Sequence, residues 1–304
     1  MAGSLDALLN IPYIGEIFSV TAALVWAFAV ILFRIVGRSV HPLALNLFKN
    51  VFALVLVVLT AAVFGVALTP DLGARPYLLM IASGILGITV SDTLFLASLN
   101  KLGASLTAIV DCFYSPFIIG FSMMFLGETM SALQIFGVAL IISAVLTIGQ
   151  KKHERAVPHR ELLLGAGLGT AAMLTMAAGI VMIKPLLASV PLIWAVFMRL
   201  AGAAASLAIV FAVLPGRKEL LRPLARRANL RVMAPAAFLG TYLSLMSWMA
   251  GMKYTFASVA AALSQLSTIF IFILAAIFLK EKATPWRILA IGLAFLGAYL
   301  ATVG

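Results

Sequence analysis

Charge is what this sequence has least of. Asp, Glu, Lys and Arg together make up 10% of 304 residues, against about 25% in a soluble globular domain. With so few ionic side chains and a mean hydropathy of +1.16, the chain cannot coat a water-facing fold. A single cysteine, Cys112, excludes an internal disulfide, and no Cys/His grouping has the spacing of a metal site. There is no HExxH helix, no carboxylate cluster at fixed spacing and no glycine-rich phosphate loop, so neither a metal nor a cofactor is expected. The first sixteen residues hold Asp6 and Glu16 but no Lys or Arg, which argues against a basic-headed signal peptide.

What the chain does have is apolar length. Hydrophobic residues reach 64% and come in runs of about twenty, enough to cross a bilayer core at about 1.5 Å per residue. Ten transmembrane helices are predicted, near 17–37, 42–65, 77–99, 103–126, 131–149, 161–184, 190–214, 232–251, 256–279 and 285–302. Pro42, Pro70, Pro76, Pro158, Pro191, Pro215 and Pro285 punctuate the connectors. The connector from Pro215 to Arg231 is the only one long enough for an extra surface helix.

A net charge of +11 invites a nucleic-acid partner, but the basic residues sit mostly in short connectors, where membrane topology demands them. Nucleic acid is therefore not expected, and the lipid bilayer is. Sixteen of the 21 Lys and Arg follow odd-numbered spans, against three (Arg75, Lys184, Lys253) on the other side. The positive-inside rule then puts both termini in the periplasm, for a multi-pass protein of a bacterial inner membrane.

The chain also repeats itself. A shift of 153 residues aligns Gly87–Glu128 with Gly240–Glu281 without a gap, with eleven of 42 positions identical, against about four by chance in so biased a composition. A shift of 149 pairs Pro42-Leu43 with Pro191-Leu192. The fold class is thus all-α and polytopic, with ten helices as two five-helix repeats, 1–150 and 151–304. An odd number of spans inverts one repeat against the other, as in secondary transporters that bind substrate between their halves.

Each half carries Leu-x-Glu, Leu126-Gly127-Glu128 and Leu279-Lys280-Glu281, ahead of its final helix. Ala104-Ser105 and Ala257-Ser258 open the fourth and ninth helices, and Trp26 lies in the first. In these features the chain resembles the drug/metabolite transporter superfamily, EamA type. The resemblance implies a ten-helix transporter of a small-molecule substrate, often outward, that is not an enzyme; a monomer is compatible with it. The leading function is export of small polar metabolites, amino acids or related amines, by alternating access with possible proton coupling. The alternatives are a membrane-embedded enzyme on lipid or isoprenoid substrates, and a lipid-carrier flippase or non-transporting assembly partner.

Candidate site residues follow from cost. A charge at mid-membrane costs about 2.5–3.5 kcal/mol on insertion scales, so each needs a partner or a function. Lys49, Asp92 and Asp111 fall at similar depth and are read as one cluster, an ion pair plus a carboxylate free to take a proton or a substrate amine. Asp111 is favoured because Pro116 is expected to kink its helix one turn away. Ile269, aligned with Pro116, has no such effect, so the halves should differ mechanically. Arg199 falls inside the seventh span, toward its outer side. Trp26, Tyr114, Tyr242 and Trp248 either line a cavity or fill the core, and Gln265, Ser264 and Asn46 either bridge helices or touch substrate. Ser83, Gly87, Ser91, Gly240 and Ser244 are read as packing residues. Glu128 and Glu281 are assigned structural roles beside the helix starts at Ser131 and Thr284-Pro285.

Overall fold

The structure, a computed structural model, describes residues 13–126, 131–149, 158–255, 260 and 263–303. Glu128, Ala257 and Ser258 lie outside the described residues. Those described are helical with short connections, and no strand occurs among them.

In chain order the helices are α1 (Ile14–Val36), α2 (Pro42–Phe64), α3 (Ala74–Leu102), α4 (Ala104–Asp111), α5 (Tyr114–Leu126) and α6 (Ala132–Gly149). They continue with α7 (His159–Leu187), α8 (Leu192–Val213), α9 (Arg217–Leu221), α10 (Arg227–Tyr254), α11 (Leu266–Phe278) and α12 (Pro285–Val303). Among the described residues, seven helices are long and apolar enough to cross a membrane: α1, α2, α3, α4 continued into α5, α7, α8 and α10. Three shorter apolar helical stretches cover Ala132–Ala144, Leu266–Phe278 and Pro285–Leu300. The surface helix expected between Pro215 and Arg231 is α9.

Local sequence explains the ends. Pro42 opens α2 with its fixed φ and missing donor, and His41 accepts from the Leu43 N–H at 3.3 Å. Ser131 and Gln134 form a reciprocal capping box ahead of α6: the Gln134 N–H donates to Ser131 Oγ at 3.1 Å and the Ser131 N–H to Gln134 Oε1 at 2.9 Å. Thr284 caps α12 through the Arg287 N–H.

Two helices carry a π-helical turn, Ile85–Val90 in α3 and Phe238–Leu243 in α10. Both lie at the 153-residue offset of the sequence repeat. In α3 the turn follows a tight crossing: a Cβ on Gly84 would stand 2.1 Å from the carbonyl oxygen of Arg199 in α8. Between α3 and α7 three serines form a ladder, donating from Ser83, Ser91 and Ser98 to the carbonyls of Gly179, Ala172 and Gly165 at 2.7–2.8 Å. In the second half Ser244 donates to Ala22 of α1 at 3.2 Å. These contacts bring helix backbones together where lipid supplies no hydrophobic drive between helices, although Ser91, Gly240 and Ser244 also border the central cavity.

Helix pairing follows an exchange pattern. The first helix, α1, packs on α10 and α11, while α7 packs on α3, α4 and α5. The pairs α2 with α8 and α6 with α12 each match a helix with its own repeat, and α4 packs on α11, the counterpart of the α5 that continues it.

One expectation is overturned. The chain breaks after Asp111, at Cys112-Phe113, close to where Pro116 suggested a kink. Yet it also breaks at Gln265, the position aligned with Cys112, where no proline follows. Cys112 (φ −62°, ψ −18°) and Gln265 (φ −67°, ψ −15°) adopt nearly the same tight-turn geometry. The break belongs to the repeat, and Pro116 merely fits an N-terminal turn whose N–H donors would lack intrahelical acceptors anyway.

Candidate functional site

A cavity of about 160 Å³ lies between the halves. A single water needs roughly 10–15 Å³ measured this way, so the space suits a small metabolite. Its walls come from α1, α2, α3, α4, α5, α7, α8, α10 and α11 with the turn before it; among the described residues none of the lining comes from α6 or α12. Those two helices pack on each other at the periphery, Gly297 against the Gly137 carbonyl.

The lining is paired by the repeat. Ile88 and Thr241, Ser91 and Ser244, Asp92 and Leu245, Phe95 and Trp248, Asp111 and Ser264, Tyr114 and Ser267 all face the same space, and each pair is separated by 153 residues. The two chain breaks meet at its floor by exchanged bonds. Gln265 Nε2 donates to Ser115 Oγ at 2.9 Å, and Cys112 Sγ lies 3.5 Å from Thr268 Oγ1. Duplication set the geometry, while the ionic chemistry sits on single members of pairs.

Of the residues singled out by sequence, Trp26, Lys49, Asp92, Asp111, Tyr114, Arg199, Trp248 and Gln265 line the cavity. Tyr242 does not. Its hydroxyl bonds Thr60 at 2.6 Å and its ring packs on Phe238, because the π-helical turn rotates it toward α2. Asn46 bridges helices, donating to the Ile88 and Thr89 carbonyls and to Thr93. Ser91 and Ser244 both pack and line the cavity.

The three-charge cluster resolves into a pair and a single. Lys49 Nζ donates directly to Asp92 Oδ2, both side chains well buried. Asp111 makes no ion pair or hydrogen bond among the described residues. Arg199 enters the same cavity from α8, so the ionic set is four groups that sum to zero, where three had summed to −1. Sequence missed this because Arg199 was placed by its position along the span, whereas the crossing at Gly84 brings that turn of α8 inward. Met173, Met176 and Thr241 were also missed; nothing but their facing pattern could have found them.

Glu281 is structural, but on a different helix from the one expected. Its Oε1 accepts from the Ala104 N–H at 2.9 Å and Oε2 from the Ser105 N–H at 3.2 Å. It thus caps α4 in the opposite half rather than the start of α12, with Arg287 at 3.7 Å. Gly103 makes room: its φ of +84° suits glycine, and a Cβ there would lie 2.8 Å from Oε1.

A duplicated helical membrane protein folded around a charged internal cavity has the build of a membrane transporter. The EamA-like transporter family profile matches residues 13–150 and again 163–303, and the chain belongs to that family, a transporter of the drug/metabolite type. Twenty-seven solved chains match it. One, titled "Crystal structure of protein", superimposes with a TM-score of 0.64 over 95% of this chain and 96% of its own. At 18% identity that likeness speaks for the fold alone. None of the curated proteins matches.

Proposed function

We propose that this protein is a secondary transporter that exports small polar metabolites, amino acids or related amines, across a bacterial inner membrane by alternating access. Ten spans form two inverted five-helix halves, 1–150 and 151–304, with both termini in the periplasm. The central cavity is the pathway. The observation that carries this reading is the convergence of eight sequence-selected polar, charged and aromatic residues from both halves on one cavity. The Lys49–Asp92 pair holds α2 to α3, and Asp111, which makes no ion pair among the described residues, is the exchange site for a proton or a substrate amine.

The test is flux into proteoliposomes loaded with a mixture of amino acids and amines, with and without a pH gradient. Asp111→Asn is expected to insert and fold like the wild type and to lose gradient-driven flux, because the amide can neither carry a proton nor hold an ammonium. A purified Asp111→Asn protein that transports like the wild type at every pH overturns the exchange role.

A further inference from the structure

The two π-helical turns are aligned in the repeat but bonded differently. In α3 the turn Ile85–Val90 is held from outside its own helix. Asn46 of α2, 0% exposed, shares its Nδ2 donors among the carbonyls of Ile88 and Thr89, at 3.0 and 3.2 Å, and Thr93 Oγ1, at 2.9 Å. Thr93 Oγ1 in turn donates to the Thr89 carbonyl at 2.6 Å. From α8, Ser206 Oγ meets Thr89 Oγ1 at 2.6 Å. A π turn interrupts the regular ladder of backbone bonds, so side chains that take its carbonyls decide how firmly it is held.

The same clamp is missing from the other copy. At the offsets of the repeat Asn46 becomes Ala195, Thr93 becomes Met246 and Ser206 becomes Val57, none of which has a side-chain donor. Among the described residues no side chain bonds a carbonyl of Phe238–Leu243, and the buried Thr241 hydroxyl has no partner. What touches this turn comes from the side: the Tyr242 hydroxyl reaches Thr60 at 2.6 Å, and Gly240 packs on Ala29 and Phe33.

The stretches that follow the turns differ in the same sense. Ser91–Leu102 is anchored by the serine bonds to α7, by the Lys49–Asp92 pair and by Arg34, whose Nη1 donates to the Leu99 and Asn100 carbonyls. Ser244–Tyr254 has the Ser244 bond to Ala22 at 3.2 Å and, in its last turn, Lys253 on the Val190 carbonyl at 2.7 Å. Its contacts with Arg199 of α8, through the Met249 thioether and the Trp248 ring, are soft.

We propose that Phe238–Leu243 is a hinge about which Ser244–Tyr254 swings, while Asn46 keeps the matching turn of α3 rigid. One wall of the cavity then moves and its repeat-related partner does not. Asn46 does not line the cavity; it is a positioning residue that acts through Ile88 and Asp92, which do.

The test is hydrogen–deuterium exchange of the purified full chain, read by mass spectrometry on peptides covering the two turns. It needs no cargo, so it stands or falls separately from the transport reading. Amides of 238–243 should exchange about 10-fold or more faster than those of 85–90, the scale of two hydrogen bonds of ordinary net strength. Asn46→Leu should speed the 85–90 amides by about the same factor and leave 238–243 unchanged, whereas a general loss of stability speeds both. Met246→Thr restores a hydroxyl within reach of the carbonyl four residues back and should slow exchange at 238–243; Ala195→Asn should slow it further. Equal protection of the two turns in the wild type overturns the hinge, and that comparison needs no variant. An Asn46→Leu protein in which both turns speed up alike overturns the positioning role. Exchange at 238–243 that neither Met246→Thr nor a folded Ala195→Asn alters overturns the missing clamp as its cause.

Discussion

The bond between Glu281 and the start of α4 ties one half of the molecule to the other, and its worth can be isolated. Glu281→Ala removes a carboxylate that accepts two backbone N–H bonds, at 2.9 and 3.2 Å. Loss of a helix cap costs about 0.5–2 kcal/mol; with two charge-assisted bonds, a value near the top, about 2 kcal/mol, is expected. The Arg287 pair at 3.7 Å adds little. Gly103→Ala acts twice. It forces a side chain onto φ +84° and ψ 174°, a strain of about 1–3 kcal/mol, and its Cβ displaces Oε1 from 2.8 Å away. Alone it should therefore cost about 3–5 kcal/mol, and in the Glu281→Ala background only the backbone strain. The double-mutant cycle should show a coupling of about 2 kcal/mol. Reversible SDS unfolding followed by circular dichroism measures all four proteins. If the two losses simply add, the carboxylate does not hold α4, and the cross-half cap is refuted.

Two further outcomes follow. Lys49→Met should lower stability by about 3–5 kcal/mol by stranding the buried Asp92 carboxylate, and the double variant Lys49→Met/Asp92→Leu should recover most of it; thermal inactivation of the purified proteins ranks the three. In a Cys112→Ser background, an impermeant thiol reagent added to intact cells should label a cysteine at Asp71 and spare one at Arg222; the reverse pattern overturns the periplasmic assignment of the termini.

Much of the fold was legible in the sequence because a bilayer imposes simple demands. Span lengths, basic connectors and a gapless 153-residue repeat are one-dimensional signals that mark most of the helices, and eight of the nine candidate residues line the cavity. What escaped depends on rotation about a helix or on contacts across the halves. Tyr242 turned away because a π-helical turn rotates the face that a regular helix would present. The break at Gln265 had no proline to announce it. Glu281 was assigned to the helix that follows it, since sequence distance favours that neighbour, but its acceptors reach α4 in the other half. Arg199 joined the ionic set only because Gly84 lets α8 approach α3 at its carbonyl.

The matched π-helical turns also carry a record of descent. Each such turn holds more residues than a regular helical turn and arises when a helix must absorb an extra residue without unravelling. Ile85–Val90 and Phe238–Leu243 occupy aligned positions within a stretch that aligns without a gap. Separate insertions at one aligned site in two genes' worth of helix would be a coincidence. The extra residue therefore belonged to the single ancestral half, before it was copied. The distorted helix now shapes both walls of the cavity, and across it the two copies differ, with Asp92 and Asp111 in one where the other has Leu245 and Ser264.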